Sequence, residues 1–190
     1  MKESVTNILN KYLSIYPLEK DKLNRLIEFI STHKSEEITD WNNFDGHIVS
    51  SGFIYAKNDK KFLVLFHNDF KRYVYPGGHV DSTDKSILDA AKREIKEESG
   101  IDNFKLVSVD SDKNVPMDID IHLIGYNERL GLPEHYHFDF RYFFVIDSIS
   151  DIKVDPEEHF TYKWIDVEEF KNNCHYGDAI NKILNLIKKN

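Results

Sequence analysis

The segment from Pro76 to Ile101 restricts this chain more than any other part of it. It opens with Pro76-Gly77-Gly78-His79-Val80-Asp81 and passes through a short polar turn. It continues as Ala90-Ala91-Lys92-Arg93-Glu94-Ile95-Lys96-Glu97-Glu98-Ser99-Gly100-Ile101. A glycine pair therefore feeds a helix whose end carries three glutamates. Residues three and four apart share a side of a helix, so Glu94, Glu97 and Glu98 are expected to project together. Like charges at that spacing cost about 0.2–0.5 kcal/mol per pair. The glutamates also fall near the helix C-terminus, the end whose dipole disfavours anions. Ile87, Leu88, Ala91 and Ile95 form an apolar stripe beside them, which puts Glu98 nearest the buried face. A helix built for stability alone would carry Lys at one of these positions. A divalent cation removes the repulsion, because hard cations such as Mg²⁺ accept several carboxylate oxygens.

The 190 residues suit one domain, or one with a small appendage, and can bury a core of real size. The formal net charge is −8, and no run of basic residues stands out. That argues against a protein gripping long nucleic acid, whose affinity comes from Lys and Arg on phosphates. A mononucleotide or dinucleotide stays open, because metal ions can supply the positive charge. The single cysteine, Cys174, excludes an internal disulfide and suits a reducing compartment. Met1-Lys2-Glu3-Ser4 lacks an apolar signal core, and no run approaches the ~20 apolar residues of a spanning helix. The expectation is a cytoplasmic protein without a membrane partner.

Residues 4–33 read as two helices broken at Pro17, with Val5, Ile8, Leu9 and Tyr12, then Leu23, Leu26, Ile27 and Ile30, at helical spacing. This hairpin is expected as an extension over residues 1–40, with the main domain over 41–190. It can cover a pocket or form a homodimer interface, and its sequence does not choose. From His47 the period changes. His47 to Tyr55 and Phe62 to Phe66 read as strands joined by a turn, and Tyr73-Val74-Tyr75 runs into the glycines. Strands are expected at Lys105 to Val109, Ile119 to Tyr126, Tyr136 to Ile146 and Phe160 to Ile165. Asp166 is placed to cap a short helix over Val167 to Lys171. Strands interleaved with helices predict a layered α/β architecture.

Two of these strands carry polar faces. Asp118, Asp120 and His122 alternate with Ile119, Ile121 and Leu123. His135, His137, Asp139 and Arg141 alternate with Tyr136, Phe138, Phe140 and Tyr142. Period-two alternation puts each polar set on one side, and the short intervening loop suits an antiparallel pair. Such a wall can bind a second metal or grip a phosphate, with Arg141 suited to bidentate contact. An ordinary solvent face is the competing reading.

Residues 77–101 closely resemble the Nudix box, G-x5-E-x7-R-E-U-x-E-E-x-G-U, in which U is a bulky aliphatic residue. Arg93-Glu94-Ile95, Glu97-Glu98 and Gly100-Ile101 fit without error. The first half differs by a one-residue insertion in the loop, with Asp84 standing where the box has Glu. Gly46-His47 and the segments around Gly77, Asp118 and Glu134 also resemble a pattern in a subgroup of bacterial Nudix proteins. The resemblance implies an α/β fold, a Nudix α/β/α sandwich with a mixed sheet, here with an added N-terminal helical hairpin. It implies a Mg²⁺- or Mn²⁺-dependent pyrophosphohydrolase acting on a nucleoside diphosphate linked to another moiety. Glu94, Glu97, Glu98 and a carbonyl of Gly78 would hold metal. Arg93, Glu97, Glu98 and Glu158 would serve catalysis, Glu158 as a late-loop acid before Trp164. His79, Asp120, His122, His137, Asp139 and Arg141 are the candidates for substrate contact. The rival readings are a Nudix fold that binds nucleotide or ADP-ribose without cleaving it, and an isoprenyl diphosphate isomerase. The first usually loses box glutamates, which this chain keeps. The second calls for a catalytic cysteine, and Cys174 falls in a late polar loop.

Overall fold

The computed structural model describes residues 1–128, 131–172 and 176–189. Cys174 lies outside the described residues. The chain begins with α1 (Lys2–Ile15), a 3-10 turn at Pro17–Glu19 and α2 (Asn24–Thr32). Pro17 breaks the helix because it has no N–H to continue the ladder.

After a polar connector come β1 (His47–Ala56), β2 (Lys61–His67), β3 (Arg72–Val74) and β4 (Gly77–His79). Next are α3 (Ile87–Ser99), β5 (Lys105–Leu106), β6 (Asp118–Ile124) and β7 (His135–Ile146). The chain finishes with β8 (His159–Asp166), α4 (Val167–Lys171) and α5 (Ala179–Lys189). Asp166 caps α4 by accepting the Glu169 N–H at 2.8 Å. The strand expected over Lys105 to Val109 is only two residues long, and the glycine pair, read as loop, is itself a strand.

The eight strands form one mixed sheet. β1 and β7 pair in parallel from His47↔His137 to Ala56↔Ile146, and every other named strand pair is antiparallel. Alternation along β1 and β7 divides the core. Ile48, Ile54, Phe138, Phe140 and Phe144 face α1, α2 and α3, packing with Val5, Leu9, Leu26, Phe29, Leu88 and Ile95. Phe53, Tyr55 and Phe143 face the other way, onto Phe170, Ala179 and Ile183 of α4 and α5. This is the expected α/β/α layering, and the N-terminal helices share their core with the sheet.

One edge of β1 is used twice. β4 pairs with it at Val49–Ser51, and β2 pairs with it only at Tyr55–Ala56. The sheet parts between these two strands. The polar ends of β6, β7 and β8 surround that opening.

Candidate active site

α3 starts at Ser86, whose hydroxyl accepts the Asp89 N–H at 3.1 Å, and stops at Gly100 in the left-handed region. Its apolar stripe packs on β1, which draws two carboxylates inward. Glu94 is 9% exposed and Glu98 only 3%. Glu97 departs from the common side: its carboxylate is exposed at the rim. The helix turns it about 60° from Glu94, away from the packed face.

The glycines fit around these carboxylates. A Cβ on Gly77 would lie 2.3 Å from the Cβ of Ser51, and one on Gly78 would lie 2.7 Å from Glu94 Oε1. Both residues must therefore be glycine for β4 to pass between β1 and α3. The Gly77 N–H donates to Glu98 Oε2 at 3.0 Å.

Arg93 fans across the same loop. It reaches Glu94 Oε1 at 2.8 Å, Glu97 Oε2 at 2.9 Å and the His79 carbonyl at 2.8 Å. Its Nε and Nη2 also grip Asp84, at 3.2 and 2.9 Å. Asp84 in turn accepts the Asp81 N–H at 2.8 Å, closing the turn. The shorter acid at the altered box position thus still clasps the arginine.

Burial is the main force on the two inner acids. Together with Glu98, and against the pull of Arg93, it pushes the Glu94 carboxyl up to about 8. Burial also drives Glu98 well above the usual carboxylate range, opposed by the Gly77 N–H and reinforced by Glu158. These are carboxylates whose charge the fold leaves under-compensated. Glu98, Glu158 and His159 each offer a ligand atom, all within 4.8 Å of one another. His159 Nε2 lies 3.2 Å from Glu98 Oε1, but without hydrogen-bond geometry, and neither ring nitrogen has a hydrogen-bond partner among the described residues. Glu158 itself is exposed, at the end of the turn leading into β8.

β6 and β7 form the expected antiparallel pair, in the register Asp118↔Arg141, Asp120↔Asp139 and His122↔His137. This wall lines the same cavity, about 500 Å³, as Glu94, Gly78 and Glu158, so the solvent-face reading fails. Arg141 has a different use from the expected phosphate grip. It is 2% exposed, and its donors go to Asp139 Oδ2 at 3.0 Å, Asp118 Oδ2 at 3.3 Å and Asp120 Oδ2 at 2.8 Å. A desolvated guanidinium requires such counter-charges. Asp139 is equally engaged, accepting Ser51 Oγ at 2.6 Å and Tyr75 OH at 3.0 Å. Asp118 is fully buried and belongs to the scaffold: its Oδ1 accepts Lys182 of α5 at 2.7 Å. Arg141, Asp139 and Asp118 therefore stiffen the wall from beneath. His122 and His137 present its surface, and His79 faces them from β4. His122 Nδ1 lies 3.0 Å from Asp120 Oδ2. Burial works against the charged form of Asp120, but His122 and Arg141 outweigh it and hold the carboxyl down to about 2.

Sequence reasoning gave no site role to Ser51, Tyr75 or His159, and none to His47 beyond its place in the Gly46-His47 resemblance. His47 sits in an apolar run, and only the parallel register with His137 brings it to the wall. His159 follows Glu158 directly, and that adjacency was the one available signal. Trp41 and Phe70, both partly exposed, add aromatic surface to the cavity lining.

Residues 46–183 match the family model described as NUDIX domain. The chain is 29% identical over 129 residues to a probable DHNTP pyrophosphohydrolase of Lactococcus lactis, covering 68% of this chain and 71% of that protein. It is 28% identical over 121 residues to an RNA pyrophosphohydrolase of Bartonella henselae, covering 57% of this chain and 66% of that protein. Among solved structures it resembles a C. elegans Ap4A hydrolase binary complex, with a TM-score of 0.56 and 20% identity over 75% of this chain and 98% of the other. No described helix is long and apolar enough to cross a membrane.

Proposed function

The chain belongs to the NUDIX family of hydrolases, and we propose from that premise that it is a Mg²⁺- or Mn²⁺-dependent pyrophosphohydrolase. Its substrate would be a nucleoside diphosphate linked to a second moiety. The observation that carries this reading is Glu98. It is buried, has one oxygen on the Gly77 N–H, and has the other beside Glu158 and His159, with no cationic partner nearer than that histidine among the described residues.

The donor set fits a divalent ion. Glu94, Glu98 and Glu158 would supply hard oxygens, Gly78 would add a backbone carbonyl, and Glu97 would join from the rim. His159, with neither ring nitrogen hydrogen-bonded among the described residues, would add a donor compatible with Mn²⁺. Such an ion, when bound, neutralises diphosphate charge and makes water a better nucleophile. The chain's own residues do the rest. Arg93 holds Glu94 and Glu97 in place and keeps the glycine strand closed through the His79 carbonyl. Glu158, the exposed acid of its group, accepts the proton of the attacking water. Water oxygen bonds to one phosphorus as the bridging P–O bond breaks, leaving a nucleoside monophosphate and a phosphorylated second product. His79 and His122 position the diphosphate, with Asp120 orienting the His122 ring, and Trp41 and Phe70 offer faces for a base. The relatives named for cleaving pyrophosphate links support the reaction class.

The test is a panel of nucleotide sugars, ADP-ribose, dinucleoside polyphosphates, capped RNA and nucleoside triphosphates with Mg²⁺ and Mn²⁺. Phosphate release is followed with and without added phosphatase. Turnover should need metal and fall by orders of magnitude in Glu98→Gln and Glu158→Gln, each still folded by circular dichroism. Near-wild-type turnover in both variants would overturn the assignment. Binding without turnover across the panel would point to the non-cleaving reading.

A further inference from the structure

Four neighbouring strands, β4, β1, β7 and β6, present histidines to one face of the sheet: His79, His47, His137 with His135, and His122. The ring centroids of His47 lie 5.0 Å from His79, 4.7 Å from His137 and 5.1 Å from His135. So dense a group of imidazoles needs a reason. Packing alone does not supply one, because an imidazole buried without a polar partner costs free energy that an aromatic ring would not.

We propose that His47, His79 and His137 form a second metal site, for a borderline divalent ion of the Zn²⁺ class, separate from the glutamates. Each offers a ring nitrogen, and the three nitrogens lie within 4.8 Å of one another. His47 is fully buried, and its Nε2 has no hydrogen-bond partner among the described residues. That nitrogen is aimed into the group, and a metal ion would satisfy it. The outer ring nitrogen of His47 is arranged as a metal-bound histidine requires, and the neighbouring His135 is held in the same way. His47 Nδ1 faces the Asn43 carbonyl at 3.4 Å, and His135 Nδ1 faces the Pro133 carbonyl at 2.8 Å. A carbonyl acceptor fixes the proton on Nδ1 and turns the Nε2 lone pair inward. His135 Nε2 reaches His137 Nε2 at 3.3 Å and stands as a reserve donor.

The two sites differ in chemistry. Three imidazoles favour Zn²⁺ or its neighbours over Mg²⁺, whereas the glutamate site offers mainly oxygen. Three protein ligands leave a position open, and His47, His79 and His137 all line the cavity. An oxygen of an anionic ligand in the cavity can take that position. Metal binding here does not depend on the hydrolase reading.

The experiment uses the full chain, stripped with chelator and titrated with Co²⁺ as a spectroscopic probe, with Zn²⁺ and Mg²⁺ as competitors. One equivalent of Co²⁺ should give visible absorption of a nitrogen-rich, low-coordinate site. One equivalent of Zn²⁺ should displace it, and excess Mg²⁺ should not. His79 is exposed, so His79→Ala leaves the fold intact, and it should weaken Co²⁺ binding by more than about 100-fold. His137→Ala should do the same, with its metal-free melting curve checked beside that of His79→Gln. The double variant Glu94→Gln/Glu98→Gln should keep the band while losing turnover, which separates this site from the glutamate site. Persistence of the band in His79→Ala, or its loss in the double glutamate variant, overturns the proposal.

Discussion

Raising the pH of the metal-free protein should destabilise it, and Glu94 sets the size of the effect. Its carboxyl is pushed from 4.5 up to about 8 in the fold. The folded state therefore holds a proton that the unfolded chain gives up. The stabilisation is complete below the unfolded value and disappears as pH rises through the folded one. Between pH 6 and pH 8.5 this single group removes on the order of 2–3 kcal/mol. For a chain of this length that corresponds to a fall in Tm of about 5–10 °C. Glu98 acts in the same direction. The assay is thermal unfolding by circular dichroism in chelator across that range, with Glu94→Gln alongside. The variant cannot lose the proton, so its slope should be flatter by about the same amount. Adding Mg²⁺ should reverse the trend, because ions bind the deprotonated acids and stabilise more strongly at higher pH. Wild type and Glu94→Gln melting in parallel from pH 6 to pH 8.5 would refute the reasoning.

Other outcomes follow from particular contacts. Gly78→Ala drives a Cβ to 2.7 Å from Glu94 Oε1, so it should cost about 1–3 kcal/mol by denaturant titration and impair turnover with every substrate. Arg141→Lys keeps the charge but cannot reach three carboxylates, so it should lower stability by on the order of 3 kcal/mol, a loss visible without substrate. Asp84→Asn loosens the clasp on Arg93; kcat should fall more than KM rises, and metal affinity measured by calorimetry should weaken.

Much of the candidate site was legible in the chain itself. The spacing of Arg93, Glu94, Glu97 and Glu98 needs only the helical period. The alternation in β6 and β7 needs only the strand period, and both periods are local. Local period also puts Glu98 nearest the buried face, beside the stripe of Ile87, Leu88, Ala91 and Ile95, but it groups Glu97 with the other two glutamates, and only the packed helix sends Glu97 to the rim. Composition and charge already argued against a long nucleic-acid partner.

Tertiary structure decided which polar groups are available. Arg141 and His137 alternate on one face and look alike in sequence, yet one is locked among three carboxylates and the other faces the cavity. The difference is burial beneath Tyr75, which comes from the link between β3 and β4. Long-range pairing also brought His47 beside His137 and His159 beside Glu98. No period within a single element encodes such meetings. They depend on parallel β1–β7 register and on β4 and β2 parting along one edge of β1. Helical and strand periods assign each side chain to a face of its own element, while the sheet's topology determines which faces meet and which charges stay solvated.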